Sequence, residues 1–184
     1  RTVGIGLGNG TFVSGNTRSE VPIRSAPMRG DLDGDGTPDL AVVDAQGNIL
    51  LRRGRPGTDN LYDPPVVLNS GQPVLDATLV RTPTGLAVVG SKINSGFFAY
   101  GVGVASLPNP RRKGQPPFAR LFAADLTGNG RDSLIGIDRL NSQLRIYLDN
   151  DVSHAIEVYS REQGTNDVSL VDLGNPNGLD IVVA

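Results

Sequence analysis

Four aspartates stand close together in one short stretch of the chain. Asp31, Asp33, Asp35 and Asp39 occupy positions 1, 3, 5 and 9 of Asp31-Leu32-Asp33-Gly34-Asp35-Gly36-Thr37-Pro38-Asp39. Gly34 and Gly36 let the backbone curl so that alternate side chains point inward. The Thr37 carbonyl, at position 7, would complete a ring of oxygens. Carboxylates gathered on one point repel each other. A hard divalent cation removes that cost, and calcium accepts such irregular oxygen geometry more readily than magnesium. An EF-hand opens in a similar way but needs Glu at position 12 and flanking helices. Position 12 here is Val42, inside an aliphatic run. The plain alternative is an Asp/Gly turn that binds nothing, but such a turn has no need of four carboxylates in this pattern. The stretch therefore reads as a calcium loop with Asp31, Asp33, Asp35, Thr37 and Asp39 as ligands.

Weaker copies follow. Asp125, Thr127 and Asn129 offer oxygens at positions 1, 3 and 5 of a second loop, the Arg131 carbonyl stands at 7 and Ser133 at 9, with Asp132 displaced by one. Fewer carboxylates mean lower affinity for the same cation. A further loop keeps Asp172 and Asp180 at positions 1 and 9 but has Gly174 and Pro176 at 3 and 5, and reads as an empty turn. Arg81-Thr82-Pro83-Thr84-Gly85 supplies no ligand side chains of this pattern and reads as a plain turn.

The segments that must position these loops are strands. Short aliphatic runs bounded by Gly, Asn, Asp or Pro recur throughout, while helix signals are nearly absent. The runs opening at Leu40, Leu86, Leu134 and Ile181 are spaced 46, 48 and 47 residues apart. A second polar turn and another strand follow two of them, as in Gln46-Gly47-Asn48 before Ile49 and Asn141-Ser142-Gln143 before Leu144. A unit of this length with about four short strands fits one blade of a β-propeller. The last unit stops after Asp180-Ile181-Val182-Val183, and the chain opens with an orphan strand, Thr2 to Leu7. Pairing that strand into the final blade would leave no free sheet edge. The expected fold is all-β: four blades forming a single domain over residues 1–184, or part of a larger seven- or eight-bladed ring. The loop from Ser106 to Pro117 is linker-like, but the repeat spacing is kept across it, so it reads as an inter-blade loop.

The run from Asp31 to Leu40 followed by Ala41-Val42-Val43 resembles the FG-GAP, or VCBS, repeat, the calcium-loop blade of integrin alpha-subunit propellers. Gly8-Asn9-Gly10-Thr11-Phe12 is similar to a Gly-Thr-Phe turn common in bacterial and fungal members. The match is close in the first loop, partial in the third and fourth repeats, and limited to strand pattern in the second. The resemblance implies an extracellular or cell-surface propeller stiffened by calcium at its rim, in a family that usually closes with about seven blades.

Composition excludes other classes. The chain has 184 residues, a net charge of −2, no Cys, no Trp and one His, His154. There is no basic field for nucleic acid, no apolar run of ~18 residues for a membrane span, and no set of imidazoles or thiolates for zinc. His154 lies beside Asp151 and Ser153 in one stretch, whereas a hydrolase triad converges from separate elements. No paired catalytic carboxylates or cofactor fingerprint stand apart from the loops, so the chain does not read as an enzyme. It opens at Arg1 without Met, and is expected to be a processed product or a piece of something longer, any signal peptide already removed.

Candidate contact residues remain. Arg29-Gly30-Asp31 spells an integrin-recognition tripeptide, but Asp31 is the first calcium ligand and points into its loop. Asn9-Gly10-Thr11 is a glycosylation sequon that also serves as a turn. Arg111-Arg112-Lys113 reads as a solvated loop tip or partner contact. In Phe97-Phe98-Ala99-Tyr100, alternation sends Phe98 and Tyr100 one way and Phe97 the other. Tyr62, Tyr147 and Tyr159 are the other candidate stacking platforms. Two functions are expected: a module binding glycan or protein, or a structural or assembly unit of a larger surface protein, filament or polysaccharide-degrading enzyme, with homo-oligomers possible in either case.

Overall fold

The computed structural model describes residues 3–6, 12–15, 22–57, 61–93, 96–106, 118–138, 143–150, 156–159, 168–171 and 180–183. They form fifteen strands and no α-helix. β1 (Val3–Gly6) and β2 (Phe12–Gly15) make a hairpin. β3 (Met28–Gly30), β4 (Asp39–Val43), β5 (Ile49–Arg52) and β6 (Val66–Val67) form a four-stranded antiparallel sheet in chain order. β7 (Val74–Thr82), β8 (Gly85–Lys92) and β9 (Phe97–Tyr100) form a three-stranded one. β10 (Arg120–Ala124), β11 (Ser133–Asp138), β12 (Gln143–Tyr147) and β13 (Ile156–Tyr159) repeat the four-stranded pattern, and β14 (Val168–Val171) pairs with β15 (Asp180–Val183). No helix among the described residues is long and apolar enough to cross a membrane.

The repeat seen in the sequence is a repeat of hairpins. The loop-closing pairs of the first two strands are Gly30 with Asp39, Thr82 with Gly85, Ala124 with Ser133 and Val171 with Asp180. Position 9 of each Asp loop is therefore the first residue of a second strand. In the second repeat a two-residue connection replaces the loop. There the Thr82 hydroxyl donates to the Gly85 carbonyl at 2.9 Å, and Gly85 adopts a φ of 143° that side chains disfavour. At the opposite end of the first sheet Asp44 caps the turn to β5. Its carboxylate accepts the Gln46 and Asn48 N–H groups at 2.9 and 2.8 Å and the Asn48 amide at 2.8 Å.

Successive sheets stack face to face. Met28, Leu32, Ala41, Val43, Ile49 and Leu51 of the first repeat meet Val74, Ala77 and Val88 of the second. The second meets the third through Val80, Val89, Phe97, Phe118, Leu121, Leu134 and Tyr147. The third meets the fourth through Ile135, Ile137, Leu144, Ile146 and Val168, with Leu170 and Ile181 alongside. Each fully buried side chain of this kind stabilises by about 1.5–3 kcal/mol, so three apolar interfaces hold the sheets as one stack. β9 follows the expected alternation: Phe97 enters the second interface, while Phe98 and Tyr100 pack against the first.

One expectation is not met. β1 pairs with β2 and β14 with β15 in two separate two-stranded sheets, so the N-terminal strand does not complete the last sheet among the described residues. Its hydrogen-bonding partner is its own hairpin mate, with Val3 opposite Gly15 and Gly6 opposite Phe12.

Candidate metal centre

The loop between β3 and β4 is built from both sides. Leu32, at position 2, is buried in the first interface and pins the loop to the core. Gly34 and Gly36 take φ values of 85° and 83°. That curl turns their N–H groups onto Asp31, whose Oδ1 accepts from Gly34 at 2.7 Å and Oδ2 from Gly36 at 2.9 Å. Asp39 is fully buried and accepts the Leu32 N–H at 3.0 Å on Oδ2 and the Gly54 N–H at 2.9 Å on Oδ1. Asp31, Asp33 and Asp39 each bring one carboxylate oxygen within 4.8 Å of the others.

Three hard oxygen donors at that separation could hold a metal ion, and each carboxylate keeps lone-pair capacity beside its N–H contacts. Asp35 is exposed, accepts the Thr37 N–H at 2.7 Å and stands outside the trio. The Arg53 guanidinium lies 3.4 Å from Asp33. It is held still more firmly protonated by its hydrogen bond to Tyr100 and by the charge of Asp33. Arg53 offsets part of the repulsion on the open side of the trio.

The loop between β10 and β11 has the same backbone with different chemistry. Gly128 and Gly130 take φ values of 71° and 81°, matching Gly34 and Gly36. Asp125 accepts the N–H groups of Gly130 at 2.6 Å and Asn129 at 3.2 Å. Burial pushes its carboxyl up, but these bonds and those from Gly128 and Thr127 outweigh it and hold the group below its ordinary value. Thr127 and Asn129, expected as ligands, donate to Asp149. The Ser133 hydroxyl, at position 9, accepts the Asp149 N–H at 3.2 Å, as Asp39 accepts that of Gly54. Asp132 turns away: its Oδ2 accepts the Arg81 N–H at 2.6 Å, and its own N–H donates to the Arg81 carbonyl at 3.0 Å. It joins two sheets and does not enter the loop. Arg131, at position 7, is exposed, and its N–H donates to Asn129 Oδ1 at 2.9 Å.

No family model, curated protein or solved structure matches the chain. The site is therefore read from its own geometry.

Other candidates fall into place or out of it. Asp31 of the Arg-Gly-Asp run is engaged by its own loop, and Arg29 Nε donates to the Tyr62 hydroxyl at 3.2 Å. Tyr147 is fully buried, edge-on to Phe97 and Phe118, and is no surface platform. The sequon at Asn9, Arg111-Arg112-Lys113, His154 and the loop after Asp172 lie outside the described residues, although Asp180 opens β15. The side chain of Tyr159 lies outside them too. Sequence reasoning missed Asp149 and Asp44. The signal was a repeat alignment: Gly54 and Asp149 each stand two residues beyond the strand residue opposite Leu40 or Leu134, and Asp44 and Asp138 each follow the second strand's aliphatic run.

Proposed function

We propose that this chain is a non-catalytic, calcium-stabilised binding module of β-propeller design that works outside the cell or at its surface. The observation that carries the reading is the convergence of Asp31, Asp33 and Asp39 on one point within a loop whose hydrophobic second residue is anchored in the core. The propeller part is supported by three like interfaces in series and by the first strands of three successive sheets, β3, β7 and β10, meeting around one cavity. Calcium would be held by Asp31, Asp33 and Asp39, and would supply charge neutralisation. Two unit charges at the outer limit of 4.8 Å repel by roughly 3.5 kcal/mol at an effective dielectric of about 20, more where they stand closer and less where solvent reaches them. Relieving that repulsion stiffens the β3–β4 hairpin and leaves the faces of the stack for a glycan or protein ligand.

Melting in calcium and in EDTA tests the metal. Calcium is expected to raise the melting temperature in a concentration-dependent way, as any ligand of the native state does. An unmoved curve rejects the metal. A glycan array in calcium buffer with an EDTA control tests the module.

A second reading is an assembly unit. Val66 and Val67, on the edge strand β6, are 52% and 48% exposed, and an apolar edge invites pairing with another chain. Light scattering that returns a fixed multiple of the 19.3 kDa chain mass favours assembly, and a monomer at all concentrations rejects it.

A further inference from the structure

The three interfaces of the stack follow one rule. Successive residues of a strand point to opposite faces of its sheet. In β4, Ala41 and Val43 enter the interface with the second sheet. Leu40 and Val42 therefore lie on the other face. In β8, Leu86 and Val88 turn back to the first sheet and Val89 turns forward to the third. In β11, Leu134 turns back to the second sheet, and Ile135 and Ile137 turn forward to the fourth. In β15, Ile181 turns back to the third. Every sheet thus has a backward face, which holds the residue equivalent to Leu40, and a forward face. Each interface seats one backward face on one forward face.

The rule leaves one face of each kind over. The backward face of the first sheet carries Leu40 and Val42, and directly opposed residues share a face. Val42 stands opposite Leu50, and Leu50 opposite Val67. Leu40, Val42 and Leu50 are half-buried and Val67 is exposed. On the forward face of the fourth sheet Val182 is 44% exposed, opposite the exposed Ser169 and beside the half-buried Val171. Among the described residues none of these aliphatic side chains enters an apolar cluster, so the chain's own two ends do not pack on each other there.

We propose that the forward face of the fourth sheet of one copy seats on the backward face of the first sheet of a second copy, continuing the stack head to tail. The match of kind selects that occupant. The two leftover faces are the two halves of an interface that this chain already builds three times. Such a contact between identical chains is heterologous, with different surfaces meeting on the two copies. The proposal names the surface for the assembly reading and rests on it, and it is independent of the calcium loop.

Sedimentation velocity over a range of concentrations tests the proposal. Val42→Arg charges the backward face of the first sheet, and Val182→Arg the forward face of the fourth. The parent is expected to associate as concentration rises. Each variant alone should associate at least about tenfold more weakly, because a guanidinium then meets an apolar surface. Mixed in equal amounts, the two variants each keep one intact face and should form a dimer of one copy of each and nothing larger. Circular dichroism and melting in EDTA check the fold of both. Leu50→Lys, on the same face as Val42, replaces Val42→Arg if that variant melts far below the parent. Association that neither substitution weakens, or a mixture that stays monomeric, overturns this surface and leaves assembly through the β6 edge. A parent that stays monomeric at every concentration overturns the surface and the assembly reading together.

Discussion

Asp149 holds Asn129 across the loop between β10 and β11, its Oδ2 accepting the Asn129 amide at 2.9 Å. Its other oxygen accepts the Thr127 hydroxyl at 2.9 Å. The residue at the corresponding place in the first repeat is Gly54, packed so close beneath its loop that a Cβ would collide with the Pro38 carbonyl oxygen. Asp149 reaches this arrangement with a φ of 51°, uncommon for a non-glycine residue. The third repeat thus ties positions 3 and 5 by hydrogen bonds where the first gathers carboxylates. Calorimetry is expected to return one calcium per chain at micromolar affinity or weaker, with Asp33→Asn abolishing it. Asp149→Ala is expected to lower stability by about 1–2 kcal/mol with or without calcium, from two lost charge-assisted bonds. A second ion lost in Asp149→Ala would show that this loop is a metal site after all.

Asp39 and Asp33 should separate architecture from ligation. Asp39 is fully buried and satisfies two backbone N–H groups, so Asp39→Asn leaves one of them facing an amide that cannot accept on both sides. That costs about 1–3 kcal/mol, or a fall of about 2–12 °C in a chain of this size, and it should appear in EDTA. Asp33 is partly exposed and pairs with Arg53 at 3.4 Å, a contact of small worth at the surface. Asp33→Asn is expected to melt like the parent in EDTA and to lose the calcium-induced rise. Equal behaviour of the two variants in EDTA would reject this division.

What the sequence made legible is local. The near-constant spacing from Leu40 through Leu86 and Leu134 to Ile181 located the second strand of each hairpin, and Gly34 and Gly36 announced the curl of the first loop. The alternation of Phe97 and Phe98 followed from the pleat alone. The rest depends on how sheets stack. The bond from Leu121 to Asp76 spans 45 positions and that from Arg81 to Asp132 spans 51. Nothing near Asp132 in the chain says that it will leave its loop for a neighbouring strand. Tyr147 looked like a surface ring beside a turn until Phe97 and Phe118, from two other segments, closed over it. The cavity where β3, β7 and β10 meet has the same origin, since Arg24 and Arg120 share no pattern until β3 and β10 face each other across β7.

Gly136 tests the interface between the second and third sheets. It lies in β11 beneath the Phe118 ring, and a Cβ there would stand 2.5 Å from Phe118 Cδ1. Phe118 has little room to move, being stacked on Phe97 at 5.7 Å and edge-on to Tyr147 at 6.2 Å. Gly136→Ala should overpack this site and cost about 1–3 kcal/mol. Phe118→Leu in the same chain should recover part of the loss by making room. A neutral Gly136→Ala would mean that the ring does not sit over the strand.

Asp76 gives the stack a pH dependence of definite sign. Burial pushes its carboxyl above the ordinary value, against the N–H groups of Leu121 and Ala77 and the charges of Arg120 and Arg24. A carboxyl that holds its proton more tightly when folded favours the folded state at low pH. That contribution is full below the unfolded value of about 3.9 and is lost as pH rises through the raised folded value. Asp76→Asn cannot titrate and keeps an oxygen for the Leu121 N–H. The melting temperature of the parent minus that of Asp76→Asn should therefore fall as pH rises from about 4 and level off once the carboxyl is fully ionised. A difference that instead grows with pH would mean that the N–H groups and the arginines, and not burial, dominate the group.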